Sequence, residues 1–384
     1  MDAQALVDLA PAARIALMGA VLAAGPLAWV WLRHRGTLPA TRLRALTLLT
    51  LFLTFDLVLV GTYTRLSDSG LGCPDWPGCY GNASPLGAAP QIHAAQSVLP
   101  SGPVTQGKAW VEMAHRYLAT GVGVLIAVLA LASWLAHRRE HGAAVSPWWA
   151  SATLVWVCVQ GAFGALTVTM KLNPAIVTAH LLGGLALIAL LAAQAQAYVR
   201  APLALPRRLY VATLAVFALS VVQIALGGWV SSNYAVLACS DFPTCQGEWW
   251  PVMDFEQGFA LRRGLGQNAA GGWLPFEALT AIHYTHRLAA GVLLVALAGL
   301  AWCLRAAGLR RWALALAGVA MWQLASGLSN VVLGWPLLAA LAHTAGAAAL
   351  VGMLTVLVVR SRQARVAAPA DAPAGAVRGA MAAP

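Results

Sequence analysis

Nine long apolar runs constrain this chain more than any other feature of its sequence. Each could span the roughly 30 Å hydrocarbon core of a bilayer as a helix of about 20 residues. The composition agrees, because 10% of the 384 residues are charged, whereas a soluble domain carries about 25%. We therefore predict an all-α polytopic membrane protein. The runs lie near residues 14–32, 43–63, 115–136, 148–169, 175–198, 209–231, 285–304, 312–334 and 338–359.

The first run, within the N-terminal segment 1–40, departs from the others. It contains Pro26, and the basic residues Arg33 and Arg35 follow it instead of preceding it. A cleaved signal peptide carries its positive charges in front of the apolar stretch. We therefore predict an extra N-terminal transmembrane helix, with a segment that does not span the membrane as the alternative.

The charge distribution predicts the topology. The net charge is +11, but the basic residues concentrate in alternate connections and in the C-terminal tail. The two long connections on the other side, 64–111 and 232–282, hold four basic and seven acidic residues. By the positive-inside rule, those connections lie outside and the tail, predicted to be disordered over 363–384, lies in the cytoplasm. The positive charge thus reflects contact with a lipid bilayer, and we expect no nucleic acid partner.

An internal repeat divides the chain. LGCPDWPGCYG (71–81) matches LACSDFPTCQG (237–247), MAHRYLA (113–119) matches YTHRLAA (284–290), and TAHLLGG (178–184) matches LAHTAGA (341–347). Each unit contains four spans, an even number, so both units enter the membrane in the same orientation. Parallel repeats are related by an axis along the membrane normal. We predict two four-helix bundles, over 41–200 and 201–362, related by a pseudo-two-fold axis.

Four histidines coincide in this repeat: His115 and His180 in the first half, and His286 and His343 in the second. We expect His115 and His286 to open their spans at the outer face, and the other two to lie at a similar depth. Two neutral imidazoles on facing helices of a bundle are a suitable axial pair for haem iron. The alternative is that they are interfacial histidines that bond to neighbouring helices.

Charged residues accompany the histidines. Arg116 and Arg287 directly follow two of them, and a guanidinium at the outer interface could pair with a haem propionate. Glu112 precedes His115 by three residues, on the same helix face, whereas His283 takes that position in the second half. A carboxylate there could transfer protons, or it could be an interface residue bound to water or arginine.

Three residues within spans are less informative. Asp56 is a functional candidate, as intramembrane carboxylates are, but the repeat supplies no matching acid, so a structural role is equally open. Cys158 and Cys303 are expected to be buried.

These segments together resemble the haem A synthase family of cytochrome oxidase assembly. The resemblance runs in order from about residue 43 to 360, and the extra N-terminal helix departs from the family's eight-span pattern. It rests on GTYTRLSDSGLGCPDWPGC, EMAHR, TVTMKLNPAIVTAHL, LGGWVSSNYAVLACSDFPTCQG, AIHYTHR and LAHTAG.

The resemblance implies an oxidoreductase acting on a CH group. Family members oxidise a ring methyl of haem O to a formyl group, through an alcohol and a geminal diol, and so produce haem A for terminal oxidases. Carried over, His115 and His180 surround the substrate haem O, and Glu112 is the acidic residue near its reacting edge. His286 and His343 would bind haem B, which acts as an electron relay.

The resemblance also implies a location and partners. We expect a bacterial inner membrane protein, with haem O supplied by a haem O synthase and with cytochrome oxidase assembly factors nearby; homo-oligomers are an open alternative. Two other functions stay open. One is a bis-histidine cytochrome b that transfers electrons to or from quinone without modifying its haem, and the other is a transporter, which the parallel repeat allows.

The cysteine loops match the bacterial, cysteine-containing type of the family. Five residues separate Cys73 from Cys79 and Cys239 from Cys245, a spacing that can close a disulfide on the oxidising side of a membrane. Each loop could be a structural clamp over its half. Alternatively, Cys73 and Cys79 could be a redox-active pair.

Overall fold

The structure is a computed structural model that describes residues 10–139, 146–199 and 201–367. The regular secondary structure of these residues is helical. Over that part of the chain, nine helices are long and apolar enough to cross a membrane, which confirms the predicted all-α polytopic class. The helices are α1 (Ala10–Arg33), α2 (Pro39–Leu66), α3 (Ala89–Val98), α4 (Gln106–Arg139), α5 (Pro147–Thr169), α6 (Pro174–Ala197), α7 (Arg207–Ser232), α8 (Phe255–Gly258), α9 (Phe276–Ala306), α10 (Arg310–Val332) and α11 (Leu337–Ala367).

Local sequence explains how these helices begin and satisfy their polar groups. The side chain of Asn173 caps α6 by accepting from the N–H groups of Ala175 (3.0 Å) and Ile176 (3.4 Å), and Pro174 takes the first helical position, where no N–H is needed. Along α2, the hydroxyls of Thr47 and Thr50 donate to carbonyls four residues earlier. Such bonds keep polar side chains satisfied in an apolar helix.

The helices of each half pack in the same cyclic order. In the first half α2 contacts α4, α4 contacts α5, α5 contacts α6, and α6 returns to α2. In the second half α7, α9, α10 and α11 do the same. The halves meet where α6 packs on α7 and α11, and where α11 packs on α2. Each half is thus a four-helix ring.

The halves also touch at one end of the bundle, which we call the loop face and which carries the connections 67–105 and 233–275. Arg65 donates to the carbonyl of Ser231, and the Tyr234 hydroxyl donates to Asp68 at 2.6 Å. Both pairs join residues 166 positions apart, which are equivalent in the repeat. Contacts between equivalent residues are what a two-fold axis produces, although the axis itself stays a prediction.

The predicted N-terminal helix is present as α1, which packs along α4 and α2. Pro26 lies inside it without ending it. The crossing with α4 is close, because a Cβ on Gly19 would lie 2.5 Å from the Thr120 side chain and 2.9 Å from its backbone carbon. Only glycine permits this approach.

The expectations for His115, His286, Cys158 and Cys303, and for the start of the C-terminal tail, need correction. His115 and His286 do not open their helices, since α4 begins at Gln106 and α9 at Phe276. The first turns of α4 and α9 contain polar residues, so each apolar run begins later than its helix. The helices begin earlier because the connections of the loop face cover those turns. Cys158 and Cys303 are exposed, not buried. At the C-terminus α11 continues to Ala367, and the rest of the predicted tail, 368–384, lies outside the described residues.

The close crossing predicts that Gly19→Leu separates α1 from α4. Overpacking costs about 1–3 kcal/mol, so we expect a melting temperature several degrees lower in detergent. Gly25→Leu is the matched control, because nothing lies within 4 Å of a Cβ at Gly25. Equal melting of both variants and the wild type would show that α1 does not depend on this crossing.

Candidate functional site

The four repeated histidines form one pair in each half. His115 on α4 and His180 on α6 are half-buried and close enough for their imidazoles to interact electrostatically. His286 on α9 and His343 on α11 stand in the same relation. The second and fourth spans of each half therefore bring the two imidazoles together.

A glycine on a neighbouring helix lies against each histidine of the first half. A Cβ on Gly61 of α2 would lie 2.9 Å from Cε1 of His115, and one on Gly164 of α5 would lie 3.5 Å from Cε1 of His180. Each imidazole thus packs on a helix backbone where a larger residue would displace it or fill the adjoining space.

The second half repeats the arrangement. A Cβ on Gly227 of α7 would lie 3.0 Å from Cε1 of His286, and one on Gly327 of α10 would lie 3.1 Å from Cε1 of His343. All four helices of each ring therefore contribute either a histidine or its glycine. The glycines repeat in the sequence with the histidines. The sequence pattern does not assign them to the site, because their contact with the imidazoles is visible only in the structure.

The histidines of the second half have hydrogen-bond partners on Nδ1. Ser326 donates to the Trp322 carbonyl at 2.7 Å, so its oxygen can accept from Nδ1–H of His343 at 3.0 Å. This arrangement leaves the Nε2 lone pair of His343 available for a metal. The amide of Gln223 lies 3.0 Å from Nδ1 of His286 and also donates to the His286 carbonyl.

The first half lacks these partners. Nδ1 of His115 and Nδ1 of His180 are both buried without a hydrogen bond in the structure, and so is Oε1 of Gln160. Buried polar atoms of this kind usually have a partner. Equivalent imidazoles in the two halves therefore differ in their hydrogen bonding.

Haem fits this donor set. Two imidazoles on facing helices can ligate one iron from opposite sides, the glycines leave room beside the rings, and apolar helices form the surroundings. A bare metal ion fits less well, since no group of three or more His, Cys, Asp or Glu side chains is placed to hold one among the described residues.

Arg116 fastens the first cysteine loop to α4. Its Nη1 donates to three loop carbonyls, those of Asp75 (2.9 Å), Pro77 (3.2 Å) and Gly78 (2.5 Å), and its Nη2 forms an ion pair with Glu112. A guanidinium has five N–H donors, so the loop and Glu112 occupy most of its capacity.

Glu112 completes this anchor. It is buried on α4, and its Oε2 accepts from the N–H of Cys73 at 2.7 Å while Oε1 pairs with Arg116. The interface alternative, a carboxylate bound to arginine, therefore describes its contacts. The same side chain still lies one helical turn from His115.

Arg287 fastens the second loop in the same manner. It donates to the carbonyls of Asp241 (2.7 Å), Thr244 (3.0 Å) and Cys239 (2.6 Å). His283 takes the position of Glu112, since its Nδ1 lies 3.4 Å from the Cys239 N and its Nε2 lies 3.3 Å from Nε of Arg287. A neutral imidazole has one ring lone pair, so it accepts from one of these two donors at a time. Among the described residues, the guanidinia of Arg116 and Arg287 contact the cysteine loops and residues 112 and 283. Their pairing with propionates stays a prediction.

The cysteines lie under these anchors. Cys73 and Cys79 are at disulfide distance with Cα atoms 4.9 Å apart, and Cys239 and Cys245 with Cα atoms 4.7 Å apart. All four are buried.

An aspartate braces the turn of each loop. Asp75 accepts from the N–H groups of Tyr80 and Gly81. In the second loop, the hydroxyl of Thr244, followed by the N–H of Gly247, lowers the pKa of the Asp241 carboxyl to about 2. This brace is thus ionised at any pH near neutrality.

Asp56 takes no part in either imidazole pair. It is half-buried on α2, and no hydrogen bond or ion pair involving it is present among the described residues. Its role stays open.

The anchors predict how each loop protects its cysteines. Arg116→Gln should speed reduction of Cys73–Cys79 by dithiothreitol about tenfold or more, because each lost charge-assisted bond contributes roughly 1.5–3 kcal/mol against local opening. Arg287→Gln should do the same for Cys239–Cys245. Maleimide labelling read by mass spectrometry measures each pair, and each variant is the other's control. Unchanged protection in both would refute the anchoring role.

Comparison with known proteins extends over most of the chain. Residues 44–355 match the sequence profile of the cytochrome oxidase assembly protein family. A protein of Shewanella oneidensis named heme A synthase is 39% identical over 323 residues, covering 81% of this chain and 93% of that protein. Heme A synthases of Chelativorans sp. and Halalkalibacterium halodurans are 31% and 27% identical, over 78% and 65% of this chain and 86% and 72% of their own lengths.

Proposed function

Since the chain belongs to the cytochrome oxidase assembly protein family, we propose that it is a haem A synthase. It would oxidise a ring methyl of haem O to a formyl group, producing haem A for terminal oxidases. The observation that carries the proposal is the presence of two imidazole pairs in equivalent helical rings, one pair for a substrate haem and one for a resident haem.

The assignment of the halves rests on the histidine partners. The Ser326 oxygen can accept from Nδ1–H of His343, and a partner of this kind fixes the ring orientation of a metal ligand and commonly raises metal affinity 10–100-fold. At His286, the amide nitrogen of Gln223 contacts the ring and the backbone carbonyl and so restrains the ring. The second half therefore suits a retained haem B. The unpartnered Nδ1 atoms of His115 and His180 suit a haem that must enter as haem O and leave as haem A.

The chemistry at the first half requires a proton acceptor. Written with water as the oxygen source, R–CH₃ plus H₂O gives R–CHO with release of four protons and four electrons, and the electrons pass one at a time to an electron acceptor outside this chain. Glu112 is the buried carboxylate nearest in sequence to His115, and the Cys73 N–H and Arg116 orient it. We assign it the role of receiving protons from the reacting edge. Haem B, when bound by His286 and His343, supplies one-electron redox chemistry as a relay.

The membrane setting follows from the charge pattern. We propose a multi-pass protein of the bacterial inner membrane, with the loop face in the periplasm and the C-terminus in the cytoplasm. A haem O synthase would supply the substrate, and cytochrome oxidase assembly factors would receive the product.

The function is tested by co-expression with a haem O source and mass spectrometry of the extracted haem. We expect haem A from the wild type, and none from His115→Ala or His180→Ala, which should keep the haem B spectrum. His286→Ala should lose that spectrum and activity together. His93→Ala is the control, since His93 is exposed on α3. Only unmodified haem B from the wild type, with haem O supplied, would favour the cytochrome b alternative.

The Nδ1 partners predict haem retention in the second half. Ser326→Ala removes the acceptor for His343, so haem B should transfer to apomyoglobin about tenfold faster. Ser329→Ala, a change on the same helix at a half-buried serine whose hydroxyl bonds to the Ala325 carbonyl, should leave the rate unchanged. Equal rates in the two variants would contradict the assignment.

A further inference from the structure

The arginines expected to bind haem propionates are occupied elsewhere. Arg116 and Arg287 donate to the carbonyls of the cysteine loops and to residues 112 and 283. A tetrapyrrole in either ring carries two carboxylates, which need a cation or water. Another cation at the loop face could meet that need.

Arg65 lies at the loop-face end of α2, one turn beyond Gly61. Residues four apart share a helix face, with about 5–6 Å between their Cβ atoms. Because Gly61 packs against the imidazole of His115, Arg65 lies on the same side of α2, one turn closer to the loop face than that imidazole. This is where the propionate edge of a haem ligated by His115 would meet polar surroundings.

The guanidinium of Arg65 has neutral partners. It donates to the Ser231 carbonyl and lies 3.9 Å above the ring of Tyr234. The ion pairs among the described residues are Lys108 with Asp68 and Arg116 with Glu112, so no carboxylate of the described chain forms an ion pair with Arg65. A half-buried arginine in this state has both charge and N–H donors left for a planar carboxylate.

The repeat restricts this feature to the first half. Gly227, which packs on His286, is followed one turn later by Ser231, the equivalent of Arg65. The cation is therefore an addition to the half in which we place the substrate.

We propose that Arg65 binds a propionate carboxylate of the haem substrate in the first half. The proposal rests on the proposed function. The alternative is a purely structural role, in which Arg65 only links α2 to the end of α7. The experiment must distinguish this role from propionate binding.

The test compares haem O with its dimethyl ester, in which the carboxylates carry no charge. Each is titrated by difference absorption into full-length protein that retains its second haem. We expect the wild type to bind the free acid at least tenfold more tightly than the ester. Arg65→Gln should bring that ratio close to one, and Arg65→Lys should retain part of it. Arg262→Gln, a change at an exposed arginine of the same face, should keep the wild-type ratio.

The outcomes are distinguishable. If Arg65→Gln weakens the binding of both ligands equally and keeps the acid-to-ester affinity ratio, Arg65 has only the structural role and the proposal is wrong. A wild type that binds both forms equally also overturns it, while the proposed function stands. If the wild type binds no haem O, the proposed function fails and this inference falls with it. The spectrum of the retained haem reports whether each variant is folded.

Discussion

In an apolar helix bundle, every buried polar group needs a partner, and that constraint explains most of this structure. Threonines of α2 bond back to their own helix, Ser326 serves both Trp322 and His343, and two arginines satisfy the carbonyls of two loops. The exceptions include the Nδ1 atoms of His115 and His180, which lie where we propose that the substrate binds.

The two halves differ at a few equivalent positions, and the proposed function depends on those differences. Both halves use the same ring of four helices, with an imidazole pair backed by glycines and covered by a cysteine loop. Within this shared arrangement, Glu112 of the first half corresponds to His283 of the second, and Arg65 corresponds to Ser231. The Nδ1 atoms are free in the first half and bonded in the second. Under the proposed function, each difference would equip the first half for exchange and proton transfer, and the second for retention.

The sequence predicted much of the site because its signals are local or repeated. Span lengths follow from apolar runs, and the pairing of His115 with His180 follows from their places in the repeat. The loops show what such reasoning leaves out. A charge beside a ligand predicts that Arg116 pairs with a propionate, but only the structure shows that its neighbours in space are carbonyls from residues 75–78.

By itself, the sequence determined the membrane class, the internal repeat and which residues take equivalent positions in its two halves. Hydropathy and periodicity are properties of the linear chain and need no tertiary contacts. Only the tertiary structure decided what each charge and ring contacts. Hydrogen-bond partners come from segments far apart in sequence, as with Arg65 and Ser231 across the two halves. A side chain within reach of several acceptors binds the one that packing brings nearest, and a linear pattern does not contain that distance.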